Sequence, residues 1–329
     1  VPTFCRHNRF LANCPICSRD QAELLAPRHT GAARPAGGAS ARMRGGSSPH
    51  AGRSSGAVRV RQVVREREDG FRSPLVPGVK ASAAAERLAE QIALAHARLT
   101  RLERDPPDLY GEVATLEDRE EALWLAFLIA YLGPLDGDDP FAGVRAARTP
   151  WGELPRLDGI PLGPRTAHDP ARGDAALAAY RAWAERAGSQ DAAFVGEVAW
   201  TPERRFARAY ERLALPGLHR DARFDLLVAV GALGLHELRA GTLQLGGADE
   251  TTVAAKRVFG IADTMLLERR SSALADASDV PLAALDLALW SWNRSPLPGA
   301  AHGRGLAPLG VHVEPDADVY ARLAAALGL

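Results

Sequence analysis

The chain has 329 residues, no formal net charge and three cysteines. That length supports one large domain or two small ones, and a neutral balance removes any global field as an argument for nucleic acid. Abundant Ala, Leu and Arg with few aromatics favour packed helices over sheets.

No apolar run approaches the roughly 20 residues that a membrane helix needs. The first residues are polar and rich in Cys and His, unlike a secretion signal. A soluble, cytoplasmic protein with no membrane partner is therefore expected. All three cysteines fall at or before Cys17, and an odd number outside the core argues against a disulfide framework. Cys14 and Cys17 form a C-x-x-C knuckle whose short loop brings two thiolates to one metal. Cys5 and His7 complete a tetrahedral set. Zinc suits Cys₃His, because it accepts mixed sulfur and imidazole ligands without redox chemistry, and a closed four-ligand site is structural. Residues 1–18 are expected to be a zinc knuckle. Free thiols beside an incidental histidine, or a redox C-x-x-C, are the other readings.

Residues 19–70 read as a disordered basic linker, because apolar residues are too scattered to build a core. Arg28, Arg34, Arg42, Arg44, Arg53, Arg59, Arg61 and Arg65 occur with no intervening acid. Such a run can track a phosphate backbone, or serve as a soluble tether.

A helical domain is expected over 71–329. Ser73-Pro74 and Val76-Pro77-Gly78 are turn chemistry. The spacing of Leu88, Ile92, Ala95 and Leu99 predicts an amphipathic helix over 83–102, with Ser82 placed as its cap and Asp105-Pro106-Pro107 as its end. A second helix over 116–132 is apolar almost all round, which predicts burial, and Glu117 or Asp118 belongs in its first turn. Asp136, Asp138 and Asp139 form a polar turn without the spacing of a calcium loop. Residues 145–173 are a long irregular connection, or a loop folded over a site. Helices follow over 174–186, with Leu177, Tyr180 and Trp183 on one face, and after Thr201-Pro202-Glu203, where Thr caps and Pro opens the helix. Phe206, Tyr210 and Leu213 point inward there.

The stretch Leu213–Asn293 carries the chemistry. Leu215-Pro216-Gly217 ends one helix, and the next is expected to begin at Arg223. Gly231 and Gly234 lie farther on. Closely spaced glycines between helices suit a hairpin whose amides approach a phosphate. Asp249 follows Gly246-Gly247 and precedes the segment Glu250–Gly260. An acid there is held ionised by the helix N-terminus and fixed by its own capping bonds.

Asp249-Glu250-Thr251-Thr252-Val253-Ala254-Ala255-Lys256-Arg257-Val258-Phe259-Gly260 resembles the helix of the helix-hairpin-helix DNA glycosylase superfamily that reads D-T-H-V-x-R-V-x-x-R-L-G. It matches in length, in the leading acid, in Val253 and in the closing apolar-Gly pair. Leu215-Pro216-Gly217-Leu218-His219 resembles the L-P-G-h-G hairpin, but His219 replaces the second glycine, and Asp249 follows at a longer interval than usual. The Gly231–Gly234 register shortens the interval and loses the proline. The resemblance spans residues 75–295 and is greatest to the α-glutamyl/putrescinyl thymine pyrophosphorylases. They are inferred to displace pyrophosphate from an activated hydroxymethyl base in DNA.

A mainly α fold is expected, in which the N-terminal zinc knuckle and the disordered linker precede a helical domain that the resemblance implies is helix-hairpin-helix DNA glycosylase-like. The resemblance implies catalysis by Asp249 on a modified, hydroxymethyl or hypermodified pyrimidine flipped out of DNA. DNA contacts are expected from Gly217, His219, Arg220, Gly231, Gly234, Lys256 and Arg257, and base stacking on Trp200, Trp290 or Trp292. Asp221 or His236 stands where bifunctional members keep a lysine nucleophile, so no Schiff base is expected. A non-catalytic, zinc-containing DNA-binding protein and a helical protein–protein adaptor are the alternatives.

Overall fold

The computed structural model describes residues 67–171, 175–294 and 308–329. Cys5, His7, Cys14, Cys17 and nearly all of the 19–70 segment lie outside the described residues. Within them the chain is mainly helical, with no strand. The described residues include twelve α-helices: α1 (Ser82–Arg104), α2 (Leu109–Thr115), α3 (Arg119–Leu132), α4 (Ala142–Ala147), α5 (Ala175–Ala187), α6 (Gln190–Val195), α7 (Pro202–Arg212), α8 (Arg220–Ala232), α9 (Glu250–Phe259), α10 (Thr264–Ser278), α11 (Leu282–Arg294) and α12 (Ala317–Leu327). None of the described helices is long and apolar enough to cross a membrane.

Two helices organise the packing. In α3 every residue from Ala122 to Leu132 is buried, and in α11 every residue from Ala284 to Trp292 is buried. Helices that are apolar all round have no face to offer water, so others must surround them. α1 and α9 pack on α11, α8 packs on α3, and α12 packs on α1. Trp124, Phe127 and Tyr131 of α3 form a ladder of stacked rings. Tyr180 of α5 stacks on Phe127 with centroids 3.7 Å apart. The polar tips of these rings are satisfied. Trp124 Nε1 donates to the Thr149 carbonyl at 2.9 Å, and the Tyr180 hydroxyl donates to Gln190 Oε1 at 2.9 Å.

Three sequence expectations shift at helix ends. Ser82 is the first residue of α1 rather than its cap. Its amide and hydroxyl instead donate to the carboxylate of Asp69, a stronger acceptor supplied from outside the helix. The second helix starts at Arg119, where Asp118 accepts from the amides of Glu120 and Glu121 and so closes the helix to residues 116–118. α8 starts at Arg220, three residues before the expected Arg223, directly after His219, whose backbone is extended. Thr201 caps α7 as expected, accepting from the Arg204 amide with Pro202 in the first turn.

Candidate functional site

α8 carries Phe224, Leu226 and Leu227 into the core, all at most 1% exposed. Its periodicity sends Arg220, Asp221 and Asp225 toward the same interior. α11 adds Asp286, fully buried between Leu285 and Leu287. The long connection before α5 adds Arg165, which is 2% exposed at its side chain. These groups form one buried charge lattice.

Arg165 makes a two-pronged bond to Asp225, with Nε and Nη2 each 2.7 Å from a carboxylate oxygen. Its Nη2 also donates to Asp286 Oδ2 at 3.0 Å. Arg220 reaches the other oxygen of Asp286 at 2.5 Å and Asp221 at 3.0 Å. It also donates to the Leu243 carbonyl. Asp286 thus bridges two guanidiniums. The ring of Trp290 lies against Arg165 and Arg294, 5.1 and 4.7 Å from centroid to guanidinium carbon.

Burial and pairing compete across the lattice. Burial pushes the Asp225 carboxyl up to about 6, although the adjoining Arg165 pulls it down. For Asp221 burial acts in the same upward direction, but Arg165 and Arg220 together outweigh it and hold the group below the ordinary range. Burial alone would lower Arg165, yet Asp225, Asp221 and Asp286 hold it well above its usual value. Burial raises Glu268, partly offset by the amides of Leu245 and Leu243 that donate to it. Glu268 thereby pins the loop that leads to α9.

Asp249 stands at the open edge of the lattice, 15% exposed at its side chain. It caps α9, where its Oδ1 accepts from the Thr252 amide and its Oδ2 from the Thr252 hydroxyl, both at 2.8 Å. Its Oδ1 lies 3.9 Å from Arg220 Nε. The carboxylate is therefore held by a helix N-terminus, a hydroxyl and a guanidinium. Beside it Arg294 of α11 pairs with Glu250 at 2.6 Å. Four carboxylates (Asp221, Asp225, Asp249 and Asp286) face two guanidiniums (Arg165 and Arg220). An acidic surplus at fixed positions favours positive charge that develops nearby.

The other expected site residues scatter around this edge. Gly217, with φ +77°, and the exposed His219 form the turn between α7 and α8. Arg220 belongs to the lattice. Gly231 lies inside α8, where an added Cβ would sit 2.3 Å from the Leu238 carbonyl oxygen, and Gly234 follows the end of that helix. Of the two glycine registers, Leu215–His219 is the one that joins two consecutive helices. Lys256 and Arg257 lie in the last turn of α9, and Arg257 donates to Asn293 Oδ1 at 2.7 Å and covers Trp292.

Trp290 and Trp292 are 1% and 5% exposed, so neither presents a face for stacking in this conformation. Trp200 is half-buried, with Arg204 against its ring. Of the alternative nucleophile positions, Asp221 pairs with Arg220, and His236 Nε2 lies 3.2 Å from Asp191 while burial lowers the pKa of its imidazole. The polar turn before α4 is tied down by Arg145, which pairs with Asp139 and Asp108.

Arg165, Asp225 and Asp286 escaped the sequence reading. A signal was present: an acid inside an otherwise apolar helix, twice, as in Phe224-Asp225-Leu226 and Leu285-Asp286-Leu287. Such acids demand a buried cation, and the connection 145–173 was the place to look for one.

Cavities of about 260, 330 and 280 Å³ open beside residues 72–80, between α1 and Val313, and between α6 and the end of α8. None of the three is lined by Asp249. No protein-family model matches the chain, and neither a curated protein nor a solved structure matches it.

Proposed function

We propose that the chain is a DNA-base-acting enzyme of the glycosylase-like type, which processes a modified hydroxymethyl or hypermodified pyrimidine extruded from DNA. The observation that carries this reading is Asp249, a partly exposed carboxylate fixed by both Thr252 donors at the mouth of α9 beside a surplus of buried acids. An acid so held stabilises an oxocarbenium-like sugar or orients an attacking nucleophile. The turn Leu215–His219 between α7 and α8 supports the reading as a second element, because its exposed backbone at Gly217 and the start of α8 can meet a phosphate. Extrusion of the base supplies the access that the target atom lacks inside a duplex.

In this reading Lys256 and Arg257 contact the nucleic-acid backbone, and Cys5, His7, Cys14 and Cys17 hold a structural zinc. Those four donors suit zinc by their chemistry. Their contribution is to fix the N-terminal segment, with no step of the reaction passing through the metal.

The test is mass spectrometry of nucleosides from hypermodified and plain DNA after incubation with the protein. A changed base mass or a released base is expected with wild-type protein and lost in Asp249→Asn, while salt-dependent duplex binding survives. Binding without any product in either protein would leave a DNA-binding module. Absence of salt-dependent DNA binding would point to an adaptor instead.

A further inference from the structure

Residues 71–80 precede α1 and lie across the end of α9. Ser73, Val76 and Val79 are buried, while Arg72, Pro74 and Lys80 are exposed. Pro74 and Pro77 restrict the backbone. The Gly78 amide donates to the Val258 carbonyl of α9 at 2.9 Å. A Cβ at Gly78 would stand 2.0 Å from the Arg257 carbonyl oxygen, so only glycine allows this approach. From α10, Arg270 donates to the Pro74 carbonyl at 3.1 Å. The segment is held in shape from both helices.

Arg72, Ser73, Pro74, Pro77 and Lys80 line a cavity of about 260 Å³. Lys80 Nζ donates to the Pro77 carbonyl at 2.7 Å, which folds the ammonium back over the turn. Ser73 is 4% exposed, and its hydroxyl has no partner among the described residues. A buried hydroxyl without a partner is costly, which makes it a ready donor to a ligand. Asp69, two residues before the segment, is committed to the amides of Phe71 and Ser82 and to the Ser82 hydroxyl. Two cations, a spare hydroxyl and a pinned backbone make a donor set for a tetrahedral oxyanion.

We propose that this cavity binds a phosphate group, with Arg72 and Lys80 neutralising the charge and the Ser73 hydroxyl donating to one oxygen. The assignment stands apart from Asp249 and survives if the base-acting reading fails. The phosphate belongs either to a small phosphorylated molecule or to a nucleic-acid backbone.

The experiment follows backbone amide resonances of the full chain during titration with inorganic phosphate, against a sodium chloride control of equal ionic strength. Saturable shifts confined to residues 71–82 are expected. The exposed-residue double variant R72A/K80A should weaken them by about 10-fold or more, and Ser73→Ala by a smaller factor. Shifts that never saturate, or that titrate equally in R72A/K80A, overturn the proposal. Once phosphate binding is established, single-stranded and duplex oligonucleotides are added as competitors. Displacement of the phosphate-dependent shifts assigns the site to a nucleic-acid backbone, and persistence assigns it to a small phosphorylated ligand.

Discussion

Replacing Arg165 by Met removes the cation that holds the buried lattice together. The side chain is 2% exposed and bonds both oxygens of Asp225 and one oxygen of Asp286. Methionine fills much of the volume but leaves Asp225 with no guanidinium in contact and Asp286 with Arg220 alone. Breaking a buried ion pair from one side costs about 3–5 kcal/mol, because the stranded charge has no water to return to. For a domain of this size, each kcal/mol lowers the melting temperature by about 2–4 °C, so a fall of roughly 6–20 °C is expected. Urea unfolding monitored by tryptophan fluorescence should show a lower midpoint with an unchanged slope. The double variant Arg165→Met/Asp225→Leu removes the stranded acid as well and should recover at least about 1 kcal/mol relative to the sum of the two single changes. A single variant within about 1 kcal/mol of wild type would show that the lattice is not the buried, mutually dependent unit described above.

The remaining expectations concern individual groups. Asp225 should titrate near 6 by carboxyl NMR. Its folded value exceeds its unfolded one, so its contribution to stability is fully present below about pH 4 and declines as the pH rises through 6. A midpoint at or below 4 would contradict the burial argument. Asp249→Ala should cost about 1 kcal/mol through loss of the cap at Thr252, whereas Asp249→Asn should keep most of that stability. Equal unfolding midpoints for the Ala variant and wild type would remove the capping role. Gly231→Ala should destabilise by about 1–3 kcal/mol, because its new methyl meets the Leu238 carbonyl oxygen inside a packed helix. A stabilised variant, as helix propensity alone would give, would mean that residues 233–238 yield easily.

Helix propensity, apolar periodicity and cap residues were enough to place α1, α3, α5 and α7 from local patterns. Leu88, Ile92 and Leu99 sit on a stripe that any neighbour can bury, and all are buried. Thr201-Pro202 announces a helix start, because a hydroxyl acceptor and a residue lacking an amide donor are both favoured there. The short helices α2, α4 and α6 gave no such signal, since one or two turns hold too few residues to show a period. Their stability comes from tertiary contacts, as where Glu120 accepts from the Gln190 and Asp191 amides that open α6.

Sequence alone also singled out Asp249, because an acid between two glycines and a helical run is a local pattern. It did not reveal Asp249's company. Arg165, Arg220, Asp225 and Asp286 come from three separate stretches of chain, and their meeting depends on how α8, α11 and the segment around Arg165 pack. The same limit applied to the glycines. Gly217 and Gly231 look alike in sequence, yet one turns the chain between helices and the other lets a carbonyl approach a helix. Local chemistry determined which residues were able to cap, turn or bury, and only the packing of distant segments decided which charges share one low-dielectric interior.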